Sequence, residues 1–348
     1  MHDGKAGGDI LHHEDIEVGT PLMLGGTTVT KDAIVAFAQA YDPQPIHLDE
    51  GAAKASIVGG LCASGYHTCA IMMRMLVDGF LGHTASLGSP GVDEVRWLKP
   101  VRPGEAVRTR YTALEKRVLG SRPDVGITKV LVELIDGSDQ VLANWLTNQL
   151  MRLRTPGPAA AQSSTPKAAK SARNPIASLW DDAAVVAQPY PDLPFEDRQI
   201  GETTDVGRQT FSRDDIIGFA RQFDPQPFHL DEAAAKASLF GGLCASGWQT
   251  AAFLICGIIT TRQQASAAAR ARGVSLATYG PSPGFRNVRW LKPVFVGDTI
   301  EYRTRVSGKV DLKSRPNRGL LASEGQGRNQ HGDIVFAITT QMLVERRR

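Results

Sequence analysis

One proline-rich hexapeptide occurs twice in this chain, and its repetition constrains the fold more than any other feature. DPQPIH fills positions 42–47 and DPQPFH fills positions 224–229. The surroundings repeat as well. The first copy continues as HLDEGAAKASIVGGLCASGYHT and the second as HLDEAAAKASLFGGLCASGWQT. An offset of 182 residues holds from Glu14–Gly19 against Glu196–Gly201 through to Gly65 against Gly247. VRWLKPV then recurs at Val95 and Val288, an offset of 193, so the second half carries an insertion. TRQQASAAARARGVSLATYG is the stretch expected to hold it. A period this long marks a duplicated domain and not a solenoid. A chain of 348 residues is also long enough for two cores. Two homologous domains are expected, at 1–154 and 193–348. Between them, 155–192 is rich in Pro, Ala and Ser, a composition that reads as a linker.

Both domains follow one order. A β-like lead comes first, then a short helix with apolar residues at Ile34, Phe37, Ala38 and Tyr41, matched by Ile216, Phe219, Ala220 and Phe223. That spacing is the helical i, i+3, i+4, i+7 pattern. Ser212 with Asp215 suits an N-terminal cap. A second helix begins near Ser64 and Ser246, and its body is apolar on nearly every face, which predicts burial on several sides. Strand-like segments follow. Helices before a run of strands argue for an α+β fold with an antiparallel sheet wrapped on a buried helix.

The bulk properties exclude several classes. A formal charge of +3, with Lys and Arg dispersed, gives no basic face for nucleic acid. The most apolar run, Ala251–Ile259, is too short to span a bilayer, and the N-terminus has no signal-peptide pattern. Cys62, Cys69, Cys244 and Cys256 form no CxxC, so they read as small buried residues in a reducing cytoplasm. His12-His13 is unrepeated and reads as no metal site.

The repeated hexapeptide is where chemistry is expected. Asp42 and Gln44 each precede a proline and are biased to extended backbone, so the bend is stiff. With two prolines between Asp42 and His47, no helix is expected to link them. A carboxylate and an imidazole on such a bend can hold and polarise one water, and proton transfer by a positioned group contributes roughly 10²–10⁴-fold. A helix opening at Gly65 leaves its first amides without intrahelical partners and able to stabilise an oxyanion. Asp224, His229 and Gly247 repeat the set.

These residues resemble the MaoC-like, or (R)-specific, enoyl-CoA hydratases of the hot-dog fold. The frame aromatic, Asp-x-Asn-Pro-aliphatic-His is matched by Tyr41–His47 and Phe223–His229, with Gln44 and Gln226 in place of Asn. The later Pro-Val-x-x-Gly-Asp/Glu turn is matched by Pro100–Glu105 and Pro293–Asp298. Ser64 and Ser246 stand where many members have His before the Gly. Met73 and Ile255 stand near the place of a supporting Ser. The resemblance implies a double hot-dog: two antiparallel sheets, each wrapped on a long central helix, the halves forming a pseudo-dimer with ligand at the seam. It implies a lyase that hydrates a 2-enoyl-CoA thioester, or runs the reverse dehydration. Asp42, His47, Asp224 and His229 would activate water, and Gly65 and Gly247 would supply the oxyanion amide. No metal or separate cofactor is implied, since coenzyme A belongs to the substrate. Arg122 and Arg315, in repeated Ser-Arg-Pro turns, are candidates for a coenzyme A phosphate, and Arg96, Lys99, Arg289 and Lys292 are further ones. The rival readings are a dehydratase on acyl carrier protein, a hot-dog thioesterase and a non-catalytic acyl-CoA binding protein. A homodimer of the pseudo-dimer is a further expectation.

Overall fold

A computed structural model describes residues 10–155, 176–180 and 190–347. The N-terminal half runs β1 (Pro21–Val29), α1 (Lys31–Tyr41), α2 (Pro45–Leu48), α3 (Glu50–Ala55) and α4 (Gly65–Gly79). It then forms β2 (Ser86–Gly88), β3 (Gly91–Trp97), β4 (Glu105–Leu119), β5 (Arg122–Ile135) and β6 (Val141–Arg152). The C-terminal half repeats the order as β7 (Thr203–Thr210), α5 (Arg213–Phe223), α6 (Pro227–Leu230), α7 (Glu232–Ala237) and α8 (Gly247–Ala271). Its remaining strands are β8 (Gly284–Trp290), β9 (Thr299–Asp311), β10 (Arg318–Arg328) and β11 (Ile334–Glu345). This is the expected α+β double hot-dog.

The short helices start where their side chains allow. Thr30 caps α1 by accepting from Ala33 N, and Ser212 forms a reciprocal capping box with Asp215 at α5. Asp49 and Asp231 cap α3 and α7. Each cap satisfies an amide that has no partner inside the helix. α4 is 15 residues long and α8 is 25, so the insertion is taken up largely by lengthening the second central helix.

The strands join in the order β1-β4-β5-β6-β3-β8-β11-β10-β9-β7, with β2 also on β6. The halves meet where β3 pairs antiparallel with β8, in the register Gly91↔Arg289, Val92↔Val288 and Val95↔Phe285. The two half-sheets therefore form one continuous surface. Glycine is required at this junction. A Cβ on Gly91 would stand 2.0 Å from Val288 O, and one on Gly284 would stand 2.0 Å from Val95 O. Ion pairs hold the same edge, Arg286 to Glu94 at 2.9 Å and Arg289 to Asp93 at 3.3 Å.

The helices meet across the seam too. Tyr41 of α1 packs edge-on against Phe219 of α5 and Phe253 of α8, and Phe37 against Phe223. One apolar core runs through both halves. α4 is buried along most of its length, as its all-round apolar sequence predicts. The expected linker lies mostly outside the described residues. Two described parts of it are anchored to the C-terminal half. Leu179 is buried and its amide donates to Gln326, while Asp192 pairs with Arg262 at 3.0 Å. Among the described residues, no helix is long and apolar enough to cross a membrane.

Candidate active site

α1 ends at Tyr41, and Asp42 follows as its C-cap, with its backbone out of the helix (φ −151°, ψ 69°) while its amide still donates to Ala38 O. Gln44 is extended (φ −80°, ψ 137°), as the residue before a proline should be. Pro45 then opens α2 at its first position, where a missing N–H costs nothing. Here the expectation is corrected. The prolines do not exclude helix between Asp42 and His47, because Pro45 begins the helical turn that carries His47. The corner between α1 and α2 turns the two side chains toward each other. Asp42 Oδ2 lies 3.6 Å from His47 Nε2, and Asp224 Oδ2 lies 3.5 Å from His229 Nε2. All four residues are buried.

Each partner is held by a further bond. His47 Nδ1 is 2.8 Å from the Cys62 carbonyl, and His229 Nδ1 is 2.7 Å from that of Cys244. A carbonyl only accepts, so Nδ1 carries the proton and donates. A neutral ring then turns a bare Nε2 lone pair toward the carboxylate. Gln44 Nε2 donates to Asp42 Oδ1 at 2.8 Å, and Gln226 does the same to Asp224 at 2.9 Å. Ser64 Oγ donates to Asp42 Oδ2 at 2.5 Å, and Ser246 Oγ to Asp224 Oδ2 at 2.6 Å. The two serines also cap α4 and α8, accepting from Tyr66 N and Trp248 N. Their bond to the aspartates was not foreseen from the sequence. The available signal was their repetition directly before the helix-opening glycines.

Gly65 and Gly247 open the two central helices beside these serines, and their N–H groups have no partner among the described residues. Packing requires glycine at both positions. A Cβ on Gly65 would stand 2.3 Å from the Trp97 ring, and one on Gly247 would stand 2.2 Å from the Trp290 ring. The packed indole, and not only an approaching ligand, demands glycine here.

Each dyad opens into a cavity built by both halves. Asp42, His47 and Gly65 line a space of about 590 Å³, whose far wall is Ile255, Ile258 and Ile259 of α8 with Met342 of β11. The unforeseen part is this use of α8: the partly buried Ile255 and Ile258 and the buried Ile259 face a cavity. Asp224, His229 and Gly247 line a space of about 110 Å³ together with Met73 of α4 and Trp145 of β6.

The candidate phosphate ligands are separated by the fold. Arg315 and Lys99 line the larger cavity. Arg122 pairs with Asp124 at 2.7 Å and lines neither cavity. Arg96 pairs with Glu94, Arg289 with Asp93 and Lys292 with Asp333. His67 is buried and stacked on Phe37, with ring centroids 4.6 Å apart. Burial, and then the nearby His47, push its imidazole down to about 3. It is a packing histidine at the seam. Cys62, Cys69 and Cys244 are buried free thiols, while Cys256 is only partly buried. Burial pushes the Cys244 thiol up to about 12. Among the described residues, no group of three or more His, Cys, Asp or Glu side chains is arranged to hold a metal ion.

Comparison with known proteins adds to this geometry. The family model described as MaoC like domain matches residues 16–134 and again 196–320. Nodulation protein N of Rhizobium leguminosarum bv. viciae is 35% identical over 126 residues, covering 34% of this chain and 78% of that protein. The 3-hydroxybutyryl-CoA dehydratase of Methylorubrum extorquens is 28% identical over 138 residues, covering 38% of this chain and 76% of that protein. A MaoC domain protein from Chloroflexus aurantiacus superposes with a TM-score of 0.75 at 16% identity, over 97% of this chain and 98% of that one. A Mycobacterium tuberculosis protein described as having a double hotdog fold superposes with a TM-score of 0.67 at 13% identity, over 96% and 98%. At these identities the two solved structures speak for the fold alone.

Proposed function

Because the chain belongs to the MaoC-like domain family, we propose that it is a hydro-lyase that adds water across the double bond of a 2-enoyl-CoA thioester, or removes it from the 3-hydroxyacyl form. One observation carries this reading. In each dyad a carboxylate oxygen and an imidazole Nε2 face each other at 3.6 Å and 3.5 Å, and with the neutral ring donating from Nδ1 both are acceptors. The separation is longer than a normal direct hydrogen bond. A water molecule donating one O–H to each would satisfy both and would be left with its lone pairs pointing into the cavity.

The chemistry follows from that arrangement. The water oxygen bonds to C3 of the enoyl group as the π pair moves toward C2 and the thioester oxygen. The Gly65 or Gly247 amide donates to that oxygen as its charge grows. The dyad keeps the proton released by the water and returns it to C2. The other proton stays on the new hydroxyl, so atoms and charge balance and no redox partner is required. The Ser64 and Gln44 donors keep Asp42 oriented throughout, and the Cys62 carbonyl keeps the ring of His47 in the useful tautomer. Coenzyme A as the carrier is supported by the Methylorubrum relative, whose name specifies a CoA thioester.

The test is to mix the protein with crotonyl-CoA and follow both the enoyl absorbance and free thiol. Loss of absorbance without thiol release is expected. Thiol release alone would indicate a thioesterase, and binding without turnover a scaffold. The double substitution His47→Ala/His229→Ala should lose nearly all hydration while keeping its far-ultraviolet circular dichroism. Full hydration by that variant would refute the site.

A further inference from the structure

We propose that the two dyads divide substrates by acyl size, the Asp42/His47 site turning over long acyl groups and the Asp224/His229 site admitting only short ones. The proposal rests on the hydratase reading and names the substrate class of each site.

The chemical groups of the two sites are nearly superimposable. Asp, His, Ser, Gln and Gly recur with the same bonds, and the distances agree within about a tenth of an ångström. What differs is the room beside them. The cavity at Asp42/His47 is about 590 Å³, within the ~300–1,000 Å³ usual for small-molecule sites. The cavity at Asp224/His229, about 110 Å³, falls well below that range.

The larger cavity runs out to Lys99 and Arg315, and two substitutions between the repeats narrow the second site beside its histidine. Ile46 lines the larger cavity, and its counterpart Phe228 lines the smaller. Val58 lines the larger, and its counterpart Phe240 lines the smaller. Phe228 and Phe240 pack together with centroids 4.9 Å apart, and both rings lie against His229, at 4.5 Å and 6.5 Å. Phe240 also crosses the seam: its Cζ lies 3.5 Å from where a Cβ would stand on Gly88. A valine is too short to make that crossing, so the matching place at the first site stays open. The far wall of the open cavity is aliphatic, Ile255, Ile258 and Ile259, and so suits a hydrocarbon chain. Trp145, stacked on Trp248 at 5.0 Å, is part of the wall of the smaller one.

The experiment compares crotonyl-CoA with trans-2-octenoyl-CoA in His47→Ala, His229→Ala and His47→Ala/Phe240→Val. His47→Ala should lower kcat/KM for octenoyl-CoA about 20-fold or more beyond its effect on crotonyl-CoA, since each methylene that finds no room costs about 10-fold or more. His229→Ala should shift the balance the other way, toward octenoyl-CoA. Adding Phe240→Val to His47→Ala should raise octenoyl-CoA turnover by about fivefold or more. Equal losses on both substrates in both single variants would overturn the division of labour while leaving the hydratase reading intact. Failure of the unsubstituted protein to hydrate either thioester would overturn the hydratase reading, and this proposal with it. Phe240→Val is a change at a partly buried position toward the residue the other repeat carries, and His47→Gln/Phe240→Val against His47→Gln repeats the gate test should His47→Ala fold poorly.

Discussion

The hydroxyl of Ser64 lies 2.5 Å from Asp42 Oδ2, the same carboxylate oxygen that faces His47 Nε2. Both groups are buried, so bulk solvent does not screen the bond. A hydrogen bond to a charged group contributes about 1.5–3 kcal/mol. Ser64→Ala should therefore lower kcat about 10- to 100-fold at the first site, read with octenoyl-CoA in a His229→Ala background. Ser64→Thr keeps the hydroxyl and should recover part of the loss. Equal rates for Ala and Thr would mean that the serine serves only as a helix cap.

Gly65→Ala should destabilise the whole fold. The added methyl would stand 2.3 Å from the Trp97 ring, and this indole is packed between Tyr66 and Phe285. Overpacking of this kind costs about 1–3 kcal/mol. The urea midpoint should fall with the slope unchanged, and Gly247→Ala should behave alike against Trp290. An unmoved midpoint would show that the tryptophan can swing aside.

Stability should decline as pH falls below about 6.5. The folded imidazole of His67 is depressed to about 3, from an ordinary value of 6.5. Below 6.5 the unfolded chain binds a proton there that the folded chain does not, so acid favours unfolding. The slope approaches ~1.4 kcal/mol per pH unit for one such group, and is lost again once pH drops through the folded value. His13 is also depressed, chiefly by burial, and acts in the same direction. Urea midpoints at pH 7 and pH 5 should differ less in His67→Gln, which places there the residue found at the matching Gln249. The same pH slope in both proteins would count against the buried neutral ring.

Gln263 of the extended α8 reaches across the seam and donates to Pro43 O at 2.9 Å, inside the bend that carries the first dyad. The bond is exposed, so water can replace it when the fold is measured. Gln263→Ala should leave the urea midpoint nearly unchanged and lower octenoyl-CoA turnover by about two- to tenfold. Crotonyl-CoA turnover in a His47→Ala background should not move. A loss shared by both sites would point to a general structural effect.

Much of the fold was legible because it depends on local rules. The apolar spacing at Ile34, Phe37, Ala38 and Tyr41 marked α1, and Ser212 with Asp215 marked the start of α5. Asp42 and His47 were legible because six positions of sequence hold both. What escaped depends on contacts between distant segments. Ser64 reaches Asp42 across 22 positions, and nothing in either neighbourhood names the other. The pairing of β3 with β8 could not be read from either strand alone, although Gly91 and Gly284 were present in both repeats as its trace. The helical turn at Pro45 was missed because proline was read as a breaker, when its position as first residue makes it a starter.

The covalent joining of the halves has an evolutionary reach. In a two-fold dimer of identical chains, any residue altered beside one pocket is altered beside the other. Here β3 and β8 make the equivalent of that contact inside a single polypeptide, so Val58 and Phe240 are free to be different residues. Selection can reshape one chamber of this protein without touching its twin.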